Sequence, residues 1–175
     1  MSNIAEKINR FNVYLGTASA KNKLAGVTDE VTLPDFEYTS ETLTLSGMAG
    51  EVDSPSIGQF KSVQVEIPFS NISKEALQMV KDDNVSIILR AGQENLNTES
   101  LTKSHIGRII TIKGMTKGIN YGKLKKGGYG NPSIKKEVIY YKEEIDGEVV
   151  TEIDKFNGKC IINGTNIMQD IENLI

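Results

Sequence analysis

The sequence contains one cysteine, one histidine and four prolines, and no long unbroken apolar run. With Cys160 alone, neither an intramolecular disulfide nor a multi-cysteine metal cluster can form. With His105 alone, a histidine-based zinc site lacks its second imidazole. A membrane-spanning helix needs about 18 consecutive apolar residues, which the chain never approaches, so no membrane anchor is expected. The opening residues, Met1 to Lys7, show neither the basic start nor the apolar stretch of a secretory signal. The expected setting is a reducing cytoplasm, in which the Asn-x-Ser/Thr triplets at Asn71, Asn84 and Asn163 are not glycosylated. An excess of positive charge is also missing: 20 Lys and Arg stand against 23 Asp and Glu, a formal charge of −3. A protein that coats nucleic acid neutralises phosphates with clustered cations, so that class is disfavoured.

What is present is a chain of 175 residues, which at ~150 residues per domain reads as a single domain spanning 1–175. At this size a compact fold buries roughly 70% of the surface its unfolded chain exposes, enough to need no staple. The dominant pattern is alternation. Val63, Val65, Ile67 and Phe69 occupy every second position with polar residues between them, which in a strand puts all four on one face. Val85, Ile87 and Leu89 repeat this, and Ile106 to Ile112 is β-branched enough for a central strand. Phe11 to Leu15 and Val27 to Leu33 read as further strands. Pro34, Pro55, Pro68 and Pro132 fall where a run ends or turns, positions that tolerate a missing N–H. Asp146-Gly147, between two strand-like runs, predicts a two-residue type I′ hairpin with Tyr140 opposite Ile153. Asn157-Gly158 and Asn163-Gly164 bracket a short strand from Lys159 to Ile162.

Two helices are expected. One covers 73–82, with Ser73 as N-cap and Ala76, Met79 and Val80 as its core stripe. The other covers 165–175, capped by Thr165 and carrying Ile167, Ile171, Leu174 and Ile175 on one face. Both are too short to stand alone and should dock on a sheet. The fold class is therefore mainly β: one domain of two packed antiparallel sheets or a barrel-like arrangement, with one or two flanking helices.

Chemistry-bearing motifs are weak. Gly122 and Gly127 have the spacing of a phosphate loop, but Gly128 and Tyr129 stand where that loop needs Lys and Ser or Thr. His105 and Cys160 are one of each type with no constellation around them, and Cys160 sits in an apolar alternation that suits a buried thiol. Carboxylate pairs such as Glu143/Glu144 and Glu51/Asp53 read as solvated strand faces. No enzyme and no cofactor is expected. The cluster Lys113, Lys117, Lys123, Lys125, Lys126, Lys135 and Lys136 suits an acidic protein surface. Its alternative reading is a nucleic-acid-binding β-barrel module using 113–136, against which only Tyr121 and Tyr129 interleave and no arginine falls inside.

The most unusual segment is the polar stretch from Phe36 to Phe60. Tyr38, Ser40, Thr42, Thr44 and Ser46 alternate with Glu37, Thr39, Glu41, Leu43 and Leu45, giving one small-polar face and one face that turns apolar. Gly47 to Gly50 permits a reversal, and Glu51 to Pro55 brings the chain back. A long hairpin exposing Leu43, Leu45, Met48 and Val52 is an aggregation hazard in a monomer. It makes sense where neighbouring copies complete it; the alternative is a hairpin folded down on its own domain.

Taken in order, several segments resemble the major tail tube protein of contractile-tailed phages and phage-tail-like bacteriocins. They are Phe11 to Tyr14, Glu30 to Pro34, Gly47 to Asp53, Gly122 to Gly127, Tyr140 to Lys142, Ile153 to Lys155, Asn163-Gly164 and the apolar C-terminus. An insertion from Lys21 to Ala25 departs from the pattern. The resemblance implies a structural subunit whose hexameric rings stack into a hollow tube inside a contractile sheath. DNA passes through the lumen in a phage, or the tube punctures the target envelope in a bacteriocin. It makes 36–69 the long assembly hairpin, with Leu43, Leu45, Met48, Val52, Ile57 and Phe60 at the subunit interface. Ser40, Thr42 and Thr44 then face the lumen, Glu51 and Asp53 lie at the lumen or at the ring junction, and Lys123, Lys125 and Lys126 contact the sheath or the next ring. Implied partners are further copies of the chain, the sheath protein, and baseplate and tail-terminator proteins, with DNA only in transit. The implied location is a virion tail or bacteriocin particle, assembled in the bacterial host cytoplasm.

Overall fold

A computed structural model describes residues 3–17 and 22–175, so the first residue of the Lys21–Ala25 insertion lies outside the described residues. The chain folds as one mainly β domain. An eight-stranded antiparallel sheet runs in the order β1 (Asn3–Leu15), β5 (Ile87–Asn97), β6 (Lys103–Asn120), β7 (Ser133–Ile145), β8 (Glu148–Asp154), β9 (Lys159–Ile162) and β10 (Thr165–Asn166). The eighth member, β4 (Gln64–Pro68), pairs with β7. The free edge of β7 is shared: β4 takes Ser133 to Glu137 and β8 takes Tyr140 to Ile145. Irregularities in the β1–β5, β6–β7 and β7–β8 ladders add local twist, which curls the sheet around its core. The second sheet is the separate hairpin of β2 (Tyr38–Leu43) and β3 (Val52–Phe60), an arm rather than a layer over the first.

The core follows from the alternation. Val63, Val65, Ile67 and Phe69 are all buried, and meet Ile87 and Leu89 of β5, Ile110 and Ile112 of β6, and Ile134 and Val138 of β7. Fully burying one such side chain is worth about 1.5–3 kcal/mol. Helix α1 (Lys74–Lys81) closes this cavity with Ala76 and Met79, and the Ser73 hydroxyl accepts from the Ala76 N–H at 3.0 Å. A smaller cluster of Ile153, Cys160 and Met168 lies under β8 and β9.

Several expectations are corrected. Residues 27–33 form no strand; only Val27 bridges to Phe69, while Val31 and Leu33 pack against the core from an irregular segment. The Thr28 hydroxyl donates to the Glu30 carbonyl, turning the chain away from a ladder. The Asp146-Gly147 turn forms, with φ of 53° and 82°, as a type I′ turn requires. Its register differs: Thr151 and Val149 pair with consecutive residues of β7, leaving Val150 as an extra residue, so Tyr141 and not Tyr140 faces Ile153. Pro55 lies inside β3, allowed because β3 has a neighbour on one side only. At the C-terminus Thr165 belongs to β10, since Asn163-Gly164 closes a further tight turn. Helix α2 covers only Gln169–Glu172, and Ile171, Leu174 and Ile175 are exposed instead of docked.

Candidate assembly arm and basic loop

The arm begins where β4 ends its pairing with β7. Phe36 and Phe60 meet edge to face with centroids 5.6 Å apart, Phe36 contacts Tyr141 at 5.2 Å, and Tyr38 lies over Phe60 at 5.1 Å. Lys61 donates to Glu37 at 3.0 Å beside this aromatic base. Beyond it nothing covers the hairpin: every residue from Glu41 to Ile57 is exposed. Leu43, Leu45, Met48, Val52 and Ile57 are 36–58% exposed, so the arm does not fold down on its own body.

Cross-strand register sorts its two faces. Thr42 opposes Asp53 and Ser40 opposes Pro55, and the Ser40 hydroxyl donates to Asp53 at 2.9 Å, so small polar groups share one face. Leu43 opposes Val52 and Glu41 opposes Ser54 on the other. Thr44 and Glu51 lie in the turn region between the strands, where the Met48 N–H donates to the Leu45 carbonyl at 3.1 Å. Of the six residues expected at a subunit interface, Phe60 alone is engaged within the chain; the others point to solvent. The aromatic base went unrecognised in the sequence, although Phe36 and Phe60 bracket the polar stretch and mark where the arm is clamped.

At the opposite end of β4 lies the loop joining β6 to β7. Gly130 donates to the Ser70 carbonyl at 3.1 Å, Lys123 donates to Gly130 at 3.0 Å, and Gly128 donates to Lys125 at 3.1 Å, so its backbone is braced. Lys123, Lys125 and Lys126 are exposed and make no ion pair among the described residues. Between them Leu124 is fully exposed, flanked by exposed Tyr121 and Tyr129. The neighbouring lysines are occupied: Lys117 pairs with Glu137 at 3.6 Å, Lys135 with Glu66 at 3.9 Å, and buried Lys136 with Asp83 at 3.0 Å.

The candidate chemical residues do not converge. Cys160 is buried beside Ile153 and Met168, and burial pushes its thiol above the usual value. His105 is exposed on β6 with Nε2 3.7 Å from Glu94, so the two form no nucleophile–base pair. Glu143 is bonded to Arg108 and to the Tyr141 hydroxyl, and Glu144 to Lys142, which spends both carboxylates on structure. Among the described residues no group of His, Cys, Asp and Glu is placed to hold a metal, and no helix is long and apolar enough to cross a membrane. What this arrangement offers is contact surface.

No curated protein sequence matches the chain. Among solved structures, a chain of the cryo-EM structure of the anti-feeding prophage baseplate, six-fold symmetrised, is similar at a TM-score of 0.53 and 13% identity. The match covers 82% of this chain and 97% of that one, and at such identity it speaks for the fold alone. The family described as phage tail tube protein FII matches residues 5–175. With nearly the whole sequence inside that match, the chain belongs to the phage tail tube protein FII family and is a structural protein of a tail tube.

Proposed function

We propose that six copies of this chain form a ring and that such rings stack into the hollow inner tube of a contractile tail. The observation that carries this reading is the unbroken exposure of Glu41 to Ile57, apolar residues included. Isolated exposed leucines are ordinary, but a contiguous strip on an unpaired two-stranded ribbon is an association site. Burying it against neighbours recovers about 25 cal/mol per Å² of apolar surface and caps the free strand edges. Leu43, Leu45, Met48, Val52 and Ile57 pack between subunits, while Ser40, Thr42 and Thr44 face inward and Glu51 and Asp53 sit at the ring junction. A wall of small uncharged hydroxyls offers phosphate no cation to bind, so DNA slides through without being held. In a DNA-free particle the same tube is the rigid needle driven through the target envelope. Lys123, Lys125 and Lys126 serve the sheath or the next ring; baseplate and terminator proteins cap the ends. Assembly takes place in the bacterial host cytoplasm, with no membrane anchor.

The test is Leu43→Asp combined with Leu45→Asp. Both side chains are exposed, so the purified subunit should melt as the unsubstituted protein does, yet give no tubes by negative-stain microscopy. Normal tubes from that variant overturn the reading. A DNA titration across salt concentrations separates the alternative: a tube subunit shows little affinity, whereas a nucleic-acid module binds tightly and weakens steeply with salt.

A further inference from the structure

The two exposed features of the molecule carry opposite charge, in blocks. From Leu24 to Phe60 the chain holds seven carboxylates and no Lys or Arg. From Ser100 to Lys136 it holds nine Lys and Arg and no carboxylate. Within these blocks Glu37, Lys103, Arg108, Lys117, Lys135 and Lys136 are in ion pairs, but the charges at the exposed middle of each block are not. Glu41 and Glu51 make no ion pair among the described residues, and Asp53 accepts only the Ser40 hydroxyl. Lys123, Lys125 and Lys126 are likewise without carboxylate partners among the described residues, around the fully exposed Leu124. Each surface therefore combines an apolar centre with unspent charge of one sign.

One copy cannot bring the two together. The arm leaves β4 at its Gln64 end, whereas the basic loop is bonded to Ser70 just past its Pro68 end. Five strand residues separate those ends by roughly 17 Å, and the arm is clamped by Phe36, Phe60 and Tyr141 on the far side. Resting on the tube reading above, we infer that the acidic arm of one copy docks on the Lys123–Lys126 loop of a second copy, head to tail along the tube axis. The end of the arm enters the loop with both faces: Asp53 and Glu51 from the polar face and Glu41 from the other meet the three lysines, and Leu43, Leu45 and Met48 close over Leu124. Such a contact is heterologous: it leaves an acidic arm free at one end and a basic loop at the other, so each added layer recreates the site for the next. It also sets polarity, because arm against arm or loop against loop sets like charges together. The braced backbone of the loop reduces the ordering needed on docking.

The experiment uses the full chain without sheath and reads tube yield by sedimentation and negative-stain microscopy. Lys123→Glu/Lys125→Glu/Lys126→Glu and Glu41→Lys/Glu51→Lys/Asp53→Lys should each lower the yield at least tenfold while the subunit melts normally. The chain carrying all six substitutions should assemble again, since both surfaces are reversed together. Unsubstituted tubes should also assemble less well at 1 M salt, where the screening length falls to about 3 Å. If the loop variant assembles like the unsubstituted chain, the docking is overturned while the tube reading stands, and the loop is left to the sheath. Folded triple variants that both fail, with no rescue by the six-substitution chain, overturn the docking as well. If the unsubstituted chain forms no tubes at all, the tube reading falls and the docking with it.

Discussion

A Cβ added to Gly58 would lie 2.0 Å from the sulfur of Met168, so the base of the arm interlocks with the C-terminal segment at a glycine. Gly58 also has φ of 77°, the left-handed region, and sits in the wide irregularity where Tyr38 pairs with Phe60 but Ser40 with Pro55. Met168 in turn packs on Ile153 and Cys160. The direction in which the arm leaves the body is therefore set at this contact and at the aromatic cluster beside it.

Gly58→Ala should accordingly cost about 1–2 kcal/mol from the backbone conformation alone, with a further cost for displacing the methionine. Denaturant unfolding measures that loss. Tube yield should fall further than the subunit's stability does, because a tilted arm no longer meets its neighbour. Gly58→Ala combined with Met168→Ala removes the steric clash but not the φ penalty. It should recover tube yield in part while staying less stable. An unchanged yield from Gly58→Ala shows that the clamp does not aim the arm.

The body of the fold was legible because period-two alternation has one outcome once a face is buried: Val63, Val65, Ile67 and Phe69 had to turn inward together. The hairpin tip was legible too, since Asp146-Gly147 favours one turn type. The Tyr140 register was missed by one residue because the extra residue Val150 leaves no mark in local composition. Residues 27–33 look like a strand but, beyond the single bridge from Val27 to Phe69, stay irregular, with the Thr28 hydroxyl donating to the Glu30 carbonyl. For the arm, the alternation of Ser40, Thr42, Leu43 and Leu45 showed its two faces, while its clamp did not show. Phe36 and Phe60 are far apart in sequence yet meet directly, and Tyr141 of β7, which tertiary pairing brings in, packs on Phe36.

Asp83 secures the loop after α1 to the sheet. Its Oδ1 accepts from the Thr116 hydroxyl at 2.6 Å, the Thr116 N–H at 2.9 Å and Lys136 Nζ at 3.0 Å, while Lys136 is almost wholly buried and also donates to the Gly114 carbonyl. The Thr116 hydrogen bond foremost, with Lys136 assisting against partial desolvation, holds the Asp83 carboxyl below its ordinary 3.8. Removing the partner of a buried ammonium costs about 3–5 kcal/mol when both groups are buried. Asp83 is 45% exposed on its side chain, so Asp83→Ala should cost less, about 2 kcal/mol. Lys136→Met removes the charge itself and should be milder. A carboxyl whose folded value is depressed stabilises above its unfolded value and loses that contribution as pH falls through the folded one. The gap between Asp83→Ala and the unsubstituted protein should therefore be full at pH 7 and narrow below about pH 4. Urea unfolding at pH 7 and pH 3 checks both statements; a gap that stays constant excludes the ionised contact as its source.

The C-terminal residues give the opposite kind of prediction. Ile171 is 46% exposed, Leu174 84% and Ile175 fully exposed, and α2 has neither a side-chain N-cap nor a buried residue. Four helical residues form at most a single turn, which is unstable without packing. Deleting Leu174 and Ile175 should therefore leave the unfolding free energy of the subunit within about 0.5 kcal/mol of the full chain. The same deletion removes two large apolar side chains that nothing in the subunit covers. If they are buried between copies, it should reduce tube yield without moving the melting temperature of the subunit. A clear drop in melting temperature instead means that these residues dock on their own sheet, as the spacing of Ile167, Ile171 and Leu174 in the sequence first suggests.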